Sequence, residues 1–114
     1  MLSSLEKARL AARASLDKKA GEPVILEVKN LTVVADYFVI CSGESRTQVG
    51  AIAEHIEEIL RRSGSRPQAV EGASFNTWVL IDYGDVIVHV FERETRDYYG
   101  LEKLWLDAPQ IDNA

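Results

Sequence analysis

The chain has 114 residues, of which 46% are hydrophobic and 27% charged, and a net charge of −5. This length suits one domain with a single core, and the composition excludes a disordered or collagen-like chain. The excess of acid disfavours extensive nucleic-acid binding, and a lone cysteine, Cys41, excludes an intrachain disulfide or a cysteine metal cluster.

The first predicted element is a helix within residues 1–20. Ser3 and Glu6 have the spacing of a capping box, and apolar residues recur at helical intervals until Gly21 and Pro23. This start differs from a signal peptide, and no apolar run reaches the roughly 18 residues that span a bilayer. We therefore expect no membrane segment and a reducing, cytoplasmic location, with an organelle matrix as the alternative.

Two strands and a long helix are predicted next. The β-branched runs Val24–Val28 and Tyr37–Cys41 indicate strands, and the second is apolar enough to be covered on both faces. A Ser42–Gly43 turn is expected to end the second strand. Ser45 then caps a helix that carries a regular apolar stripe and ends before Gly64.

The C-terminal half is predicted to add three strands and a helix. A short strand at 69–71 precedes two runs, 77–83 and 86–91, which a Gly-Asp pair joins as an antiparallel hairpin. Residues 94–106 indicate a helix, and residues 107–114 a frayed end. The expected fold class is α/β: a single domain, residues 1–114, with a mixed sheet of about five strands flanked by helices.

Side chains suited to catalysis are sparse. A nucleophile needs an adjacent base, and the two histidines, His55 and His89, fall on a helix and inside a strand. Cys41 is interpreted as a small buried hydrophobe, with a thiol activated by the following helix as the alternative. No spacing is typical of a zinc or calcium site, and neither a metal nor another cofactor is expected.

The Ser42–Gly43 turn, placed between a strand and a capped helix, offers backbone N–H groups that an anion could use. It is similar to the Gly-Ser turn of nucleotidyltransferases, which also need acidic residues on adjoining strands to hold Mg²⁺. Asp82 and Asp85, which flank the hairpin turn, are the candidates for that task. The alternative function is therefore a nucleotide-binding enzyme, and our preferred interpretation is a relic of that fold.

Aromatic and acidic residues concentrate together in the C-terminal half. Six of the nine aromatic residues lie between Trp78 and Trp105, and residues 68–114 carry a net charge of −6, whereas residues 1–20 carry +3. These aromatic side chains are either core or part of a binding surface, since tyrosine and tryptophan serve in both. An acidic aromatic surface fits a basic protein partner.

A series of motifs, in order along nearly the whole chain, resembles one family. The motifs are ADYFVICSG at 35–43, QVxAIAxxI at 48–56, VEG at 70–72, WVLIDYGDV at 78–86, VHVF at 88–91, YxLExLW at 99–105 and DAP at 107–109. This series is similar to the ribosomal silencing factor family, also called Iojap-like.

The resemblance implies a translation repressor that is not an enzyme. Such a factor binds the large ribosomal subunit through its protein fourteen, blocks joining of the small subunit in starved or stationary cells, and acts in large-subunit biogenesis. It also implies a nucleotidyltransferase-like topology without the active site, the bacterial cytoplasm, a homodimer and no sequence-specific nucleic-acid binding. By analogy the partner-contact residues are Glu71, Trp78, Asp82, Tyr83, His89, Tyr98, Leu101 and Trp105, each of which could instead be core or dimer contact.

Overall fold

The computed structural model describes residues 2–113 and has a mixed sheet with helices on both faces. The elements are α1 (Ser4–Asp17), β1 (Gly21–Glu27), β2 (Tyr37–Gly43), α2 (Arg46–Arg62), β3 (Ala69–Glu71), β4 (Trp78–Asp82), β5 (Val86–Glu92), α3 (Arg93–Tyr99), α4 (Leu101–Leu104) and β6 (Gln110–Ile111). The strand order is β3-β4-β5-β2-β1-β6, and β2 and β5 are the parallel pair. The α/β class is confirmed, with six strands in place of about five. The outermost residues of the predicted domain, Met1 and Ala114, lie outside the described residues.

Both long helices begin where the sequence predicts. At α1 the Ser3 hydroxyl accepts the Glu6 N–H at 3.1 Å, and the Glu6 carboxylate accepts the Ser3 N–H at 2.8 Å, which completes the capping box. At α2 the Ser45 hydroxyl accepts the Gln48 N–H at 3.1 Å, but the Gln48 side chain accepts from Glu44 instead. Ser45 therefore caps α2, without the reciprocal hydrogen bond that a capping box has. The apolar stripes of both helices pack on one face of the sheet.

Strand β2 runs further than predicted. The sequence predicts a turn at Ser42 and Gly43, but both residues continue the strand because they pair in parallel with the last two residues of β5. Every residue of β2 is buried, with alternate side chains in the two separate cores on either side of the sheet. The prediction of two covered faces is therefore confirmed, and the prediction of a turn at this point is wrong.

The hairpin of β4 and β5 is antiparallel as predicted, and it is closed by the Tyr83 N–H, which donates to the Val86 carbonyl at 2.8 Å. The short strand β3 is also confirmed. Strand β1 starts three residues before the predicted Val24, because an irregularity in its pairing after Gly21 leaves room for Pro23.

The C-terminal segment differs most from prediction. The single helix expected over 94–106 is two short helices, α3 and α4, separated by Gly100 in a left-handed conformation with φ +54°. The predicted frayed end contains β6, which pairs antiparallel with β1. Leu101, Trp105 and Ala108 pack in the second core, so this segment crosses the sheet face opposite α1 and α2.

Candidate partner-binding surface

Most of the predicted contact residues converge on the sheet face opposite α1 and α2. The segment from α3 to Ala108 covers the centre of this face, whereas the outward side chains of β4 remain half-exposed and all three residues of β3 are exposed. We call this surface the aromatic face and define it by Glu71, Trp78, Leu80, Asp82, Tyr98, Tyr99, Leu101 and Trp105.

Ring contacts build the floor of the aromatic face. The Trp78 ring centroid lies 4.7 Å from that of Phe91 and 4.9 Å from that of Tyr99. The Phe38 ring meets Trp105 edge-on at 5.2 Å. These contacts tie β2, β4 and β5 to the segment that crosses them, so the aromatic side chains are held in place before any partner arrives.

His89 lies within this floor and is 5% exposed. Its Nδ1 accepts a hydrogen bond from Trp78 Nε1 at 3.1 Å, which assigns the proton of the neutral ring to Nε2. That Nε2 is buried and has no hydrogen-bond partner among the described residues. Burial lowers the pKa of His89 from 6.5 to about 4. His89 is therefore a neutral side chain that positions Trp78.

The other predicted residues differ in how far they reach the surface. Tyr98 is 82% exposed on α3, and Glu71 is exposed at the end of β3. Leu101 and Trp105 are half-buried in the second core. The Asp82 carboxylate accepts the Gly84 N–H at 2.7 Å, which fixes the hairpin turn while leaving this side chain partly exposed.

Tyr83 does not join the aromatic face. It is buried in the core under α1 and α2, with the Lys7 ammonium 5.9 Å from its ring centroid. Its hydroxyl has no hydrogen-bond partner among the described residues, and burial raises the pKa of the phenol. Its position indicates a core role.

Four apolar residues at or near this surface are not among the predicted contact residues. Leu80 lies between Trp78 and Asp82 on the same side of β4, and Tyr99 packs against Trp78. Leu104 and Leu106 are 75% and 80% exposed around the end of α4. Strand alternation identifies Leu80, but the exposed leucines follow from the break at Gly100, which the helical pattern conceals.

The residues of the alternative nucleotide site lie at opposite ends of the sheet. Asp82 pairs with Ile87, which in turn pairs with Phe38, whereas the Ser42–Gly43 pair lies at the other end of β2. The five residue-to-residue steps from Phe38 to Gly43 span about 16 Å. Asp82 caps its own hairpin and Asp85 pairs with the Lys7 ammonium at 2.8 Å.

A cavity of about 500 Å³ does adjoin Ser42 and Gly43, but Arg96, the buried arginine in its lining, already forms hydrogen bonds within the protein. The Arg96 guanidinium donates to the Glu102 carboxylate at 2.8 Å and to the carbonyls of Gly21 and Glu22 at 3.0 and 2.8 Å. Its role is to tie α3 to β1. Four acids also line the cavity, Glu22, Glu44, Asp97 and Glu102, which is unfavourable for a phosphate.

The remaining reactive side chains occupy structural positions. Cys41 is buried, and burial raises the pKa of its thiol to about 12, so the thiol is protonated at neutral pH. His55 is half-buried on α2 and lies 2.9 Å from the Asp17 carboxylate. Within residues 2–113, no group of histidines, cysteines and acids could hold a metal ion. No helix in the same range is long and apolar enough to cross a bilayer.

Comparison with known proteins decides the family. A family model described as "Ribosomal silencing factor during starvation" matches residues 2–114. The chain belongs to the ribosomal silencing factor family. It is 45% identical over 111 residues to the ribosomal silencing factor of Halalkalibacterium halodurans, covering 97% of this chain and 95% of that relative. The Bacillus subtilis silencing factor is 46% identical over 104 residues, with 91% and 88% covered.

Other matches of this silencing-factor chain extend to an animal protein and to a crystal structure. A mouse protein named mitochondrial assembly of ribosomal large subunit protein 1 is 30% identical over 91 residues, which are 77% of this chain and 40% of that protein. A crystal structure of a Chromobacterium violaceum protein superposes with a TM-score of 0.89 at 35% identity, covering 91% of this chain and 87% of that one.

Proposed function

We propose that this silencing factor is a translation repressor that binds the large ribosomal subunit through its protein fourteen and sterically blocks joining of the small subunit. The proposal applies above all to starved or stationary cells, and it includes a role in large-subunit biogenesis, in keeping with the name of the mouse relative. The observation that carries the proposal is the aromatic face.

The aromatic face has the chemistry of a protein-binding surface. Trp78, Tyr98 and Tyr99 present large rings with few rotatable bonds, on a floor that is already packed. Glu71 and Asp82 add acid at the β3 and β4 side, and residues 68–114 carry a net charge of −6. A basic ribosomal protein is complementary to this combination of aromatic centre and acidic edge.

We also propose that the protein is not an enzyme. His89 is buried and neutral, and the Cys41 thiol is buried and protonated, so neither serves as an activated base or nucleophile. The candidate Mg²⁺ ligands Asp82 and Asp85 lie at the wrong end of the sheet for Ser42 and Gly43. The side chains of this chain are better explained as a scaffold for binding.

The proposal further includes homodimers and the bacterial cytoplasm, with an organelle matrix as the alternative because the mouse relative is named mitochondrial. The exposed side chains Tyr98, Leu104 and Leu106 form apolar area that a second copy would cover in the free protein. Sedimentation over a range of protein concentrations tests the dimer: a constant monomer mass at all concentrations would contradict it.

The function is tested by adding the protein to separated ribosomal subunits and following whole ribosomes on a density gradient. We expect co-sedimentation with the large subunit and less formation of whole ribosomes. Unchanged formation of whole ribosomes, together with no co-sedimentation, would contradict the proposal.

The variant Tyr98→Ala tests the surface. Because Tyr98 is 82% exposed, its loss should leave the fold intact and weaken large-subunit binding about tenfold. Trp78 is a poorer probe, since its removal also leaves His89 Nδ1 without its hydrogen bond.

The matched control is Phe75→Ala. Phe75 is an aromatic residue with 71% exposure, and its neighbour Asn76 lies against Gly50 of α2, away from the aromatic face. Its removal should leave binding unchanged. Equal binding by the Tyr98 variant, the control and the wild type would show that Tyr98 is outside the interface.

A further inference from the structure

We propose that exposed cations where α1 meets α2 make a second, small contact, to the phosphate backbone of ribosomal RNA. These residues, which we call the basic corner, are Lys18 and Lys19 after α1 and Arg46 at the start of α2; all three are exposed. The inference rests on the proposed function, because it assumes that the protein is bound to the large subunit.

The basic corner is held together by Gln48. The Gln48 Nε2 donates to the carbonyls of Lys18 and Lys19 at 3.2 and 3.1 Å, which fixes the end of α1 against the first turn of α2. Lys19 has a left-handed backbone with φ +60°, which sharply redirects the chain after the helix. The three cations therefore come from two elements whose relative position is fixed.

The charges of the basic corner have no partner among the described residues. None of the three side chains forms an ion pair or hydrogen bond with any other residue in 2–113. Two of the neighbouring acids are engaged elsewhere: Asp17 with His55 at 2.9 Å and Glu44 with Arg93 at 3.2 Å. Three cations without an ion-pair partner therefore lie close together in a chain of net charge −5.

Arg46 occupies a position that is electrostatically unfavourable in the free protein. The first turn of α2 contains this arginine and no acidic residue. The N-terminal end of a helix already carries partial positive charge, so a cation there is unfavourable in the free protein. An anion supplied from outside would remove that penalty.

The basic corner and Trp78 lie at the same end of the sheet, the corner where α1 and α2 meet and Trp78 on the opposite face. Pairing places Gly21, Ser42, Phe91 and Trp78 in one row across β1, β2, β5 and β4. Three strand spacings separate the ends of that row by about 15 Å, and Lys19 precedes Gly21 by two residues. If a ribosomal protein binds at Trp78, the RNA around that protein therefore lies within reach of the basic corner.

The ribosome is a partner whose proteins are embedded in RNA, and phosphate is its most abundant anion. Because Glu22 and Asp97 lie beside Lys19 in the adjoining cavity, the corner suits two or three phosphates and not an extended nucleic acid. The aromatic face would then determine which ribosomal protein is bound, and the basic corner would orient the factor on the neighbouring RNA.

The test compares two double variants of the full-length protein. Lys18→Gln with Arg46→Gln removes charge from the corner, and Lys29→Gln with Arg66→Gln removes the same charge from exposed positions elsewhere. Binding to purified large subunits is measured over a series of KCl concentrations. We expect the slope of log Kd against log salt to fall by about 2 in the corner variant only, since each phosphate contact contributes about one unit.

Two outcomes would overturn the inference: a slope in the corner variant that equals the wild-type slope, or a slope that falls by the same amount in both double variants. A photoactivated cross-linker at position 46 separates RNA from protein as the target, and we expect its adducts on RNA; adducts on ribosomal protein alone would contradict the inference. Failure of the wild type to bind large subunits at all would instead refute the proposed function.

Discussion

His89 is buried among aromatic rings, and its pKa differs between the folded and unfolded states. Protonation of this one residue therefore affects the stability of the whole chain. The unfolded chain protonates His89 near pH 6.5, whereas the folded protein does so only near pH 4. Between these values the unfolded state binds more protons, so the free energy of unfolding falls as the pH drops through this window. The expected loss by pH 4 is about 3 kcal/mol at most.

Denaturant unfolding of the wild type and of His89→Asn, at neutral pH and near pH 4, measures this effect. Asparagine does not titrate, and its side-chain oxygen can still accept the Trp78 N–H. The variant should therefore lose less stability on acidification than the wild type. An identical loss in both proteins would assign the acid sensitivity to other groups.

Single residues of the aromatic face were predictable to the extent that strand alternation controls them. Alternation along β4 puts Trp78 and Asp82 on one side, and the same rule places Tyr83 on the other. The prediction that Tyr83 contacts a partner rests on the family resemblance, which does not indicate on which side of the sheet a side chain lies. The sequence leaves His89 open between core and interface, and its hydrogen bond to Trp78 shows that it is a supporting residue.

At the level of elements, the break between α3 and α4 decides where Trp105 lies. Gly100 has φ +54°, a conformation that costs other residues roughly 1–2 kcal/mol. Gly100→Ala should destabilise the fold by about 1 kcal/mol. It should also weaken large-subunit binding, because a continuous helix would displace Trp105 from Phe38.

Gly64→Ala is the matched control for the break. Gly64 also has a left-handed backbone, with φ +90°, and an added methyl group there would meet nothing within 4 Å. Thermal unfolding should show a similar loss of stability for both variants, whereas only the Gly100 variant should lose binding. Loss of binding in both would mean that general destabilisation, and not the position of Trp105, is responsible.

Elements defined by local signals were predictable, and those defined by distant partners were not. The capping residues Ser3 and Ser45 mark the starts of α1 and α2 in the sequence itself. The last two residues of β2 are strand because β5 lies beside them, and β6 is strand because β1 does. No local pattern distinguishes Ser42–Gly43 from a turn, or residues 110–111 from a frayed end.

At the scale of the whole molecule, the fold separates the parts that a nucleotidyltransferase would need together. The Ser42–Gly43 end of β2 is about 16 Å from the level of Asp82, and the Arg96 guanidinium beside it is bonded to Glu102 and to the carbonyls of Gly21 and Glu22. Calorimetry with Mg²⁺ and each nucleoside triphosphate should therefore give no heat beyond dilution. The protein must be shown active in the same preparation by its binding to large subunits.

If titration with a nucleoside triphosphate gave a saturable heat, variants would be needed to locate the binding site. If Asp82→Asn abolished that heat, the carboxylate would be a metal ligand and the alternative enzyme function would gain its first support. If the heat persisted in Asp82→Asn but vanished in Lys18→Gln with Arg46→Gln, the triphosphate would be binding at the basic corner through its negative charge and not in a nucleotide site at Asp82. The second pattern leaves the silencing proposal intact, because the basic corner lies outside the aromatic face and would be binding phosphate, as we infer for RNA.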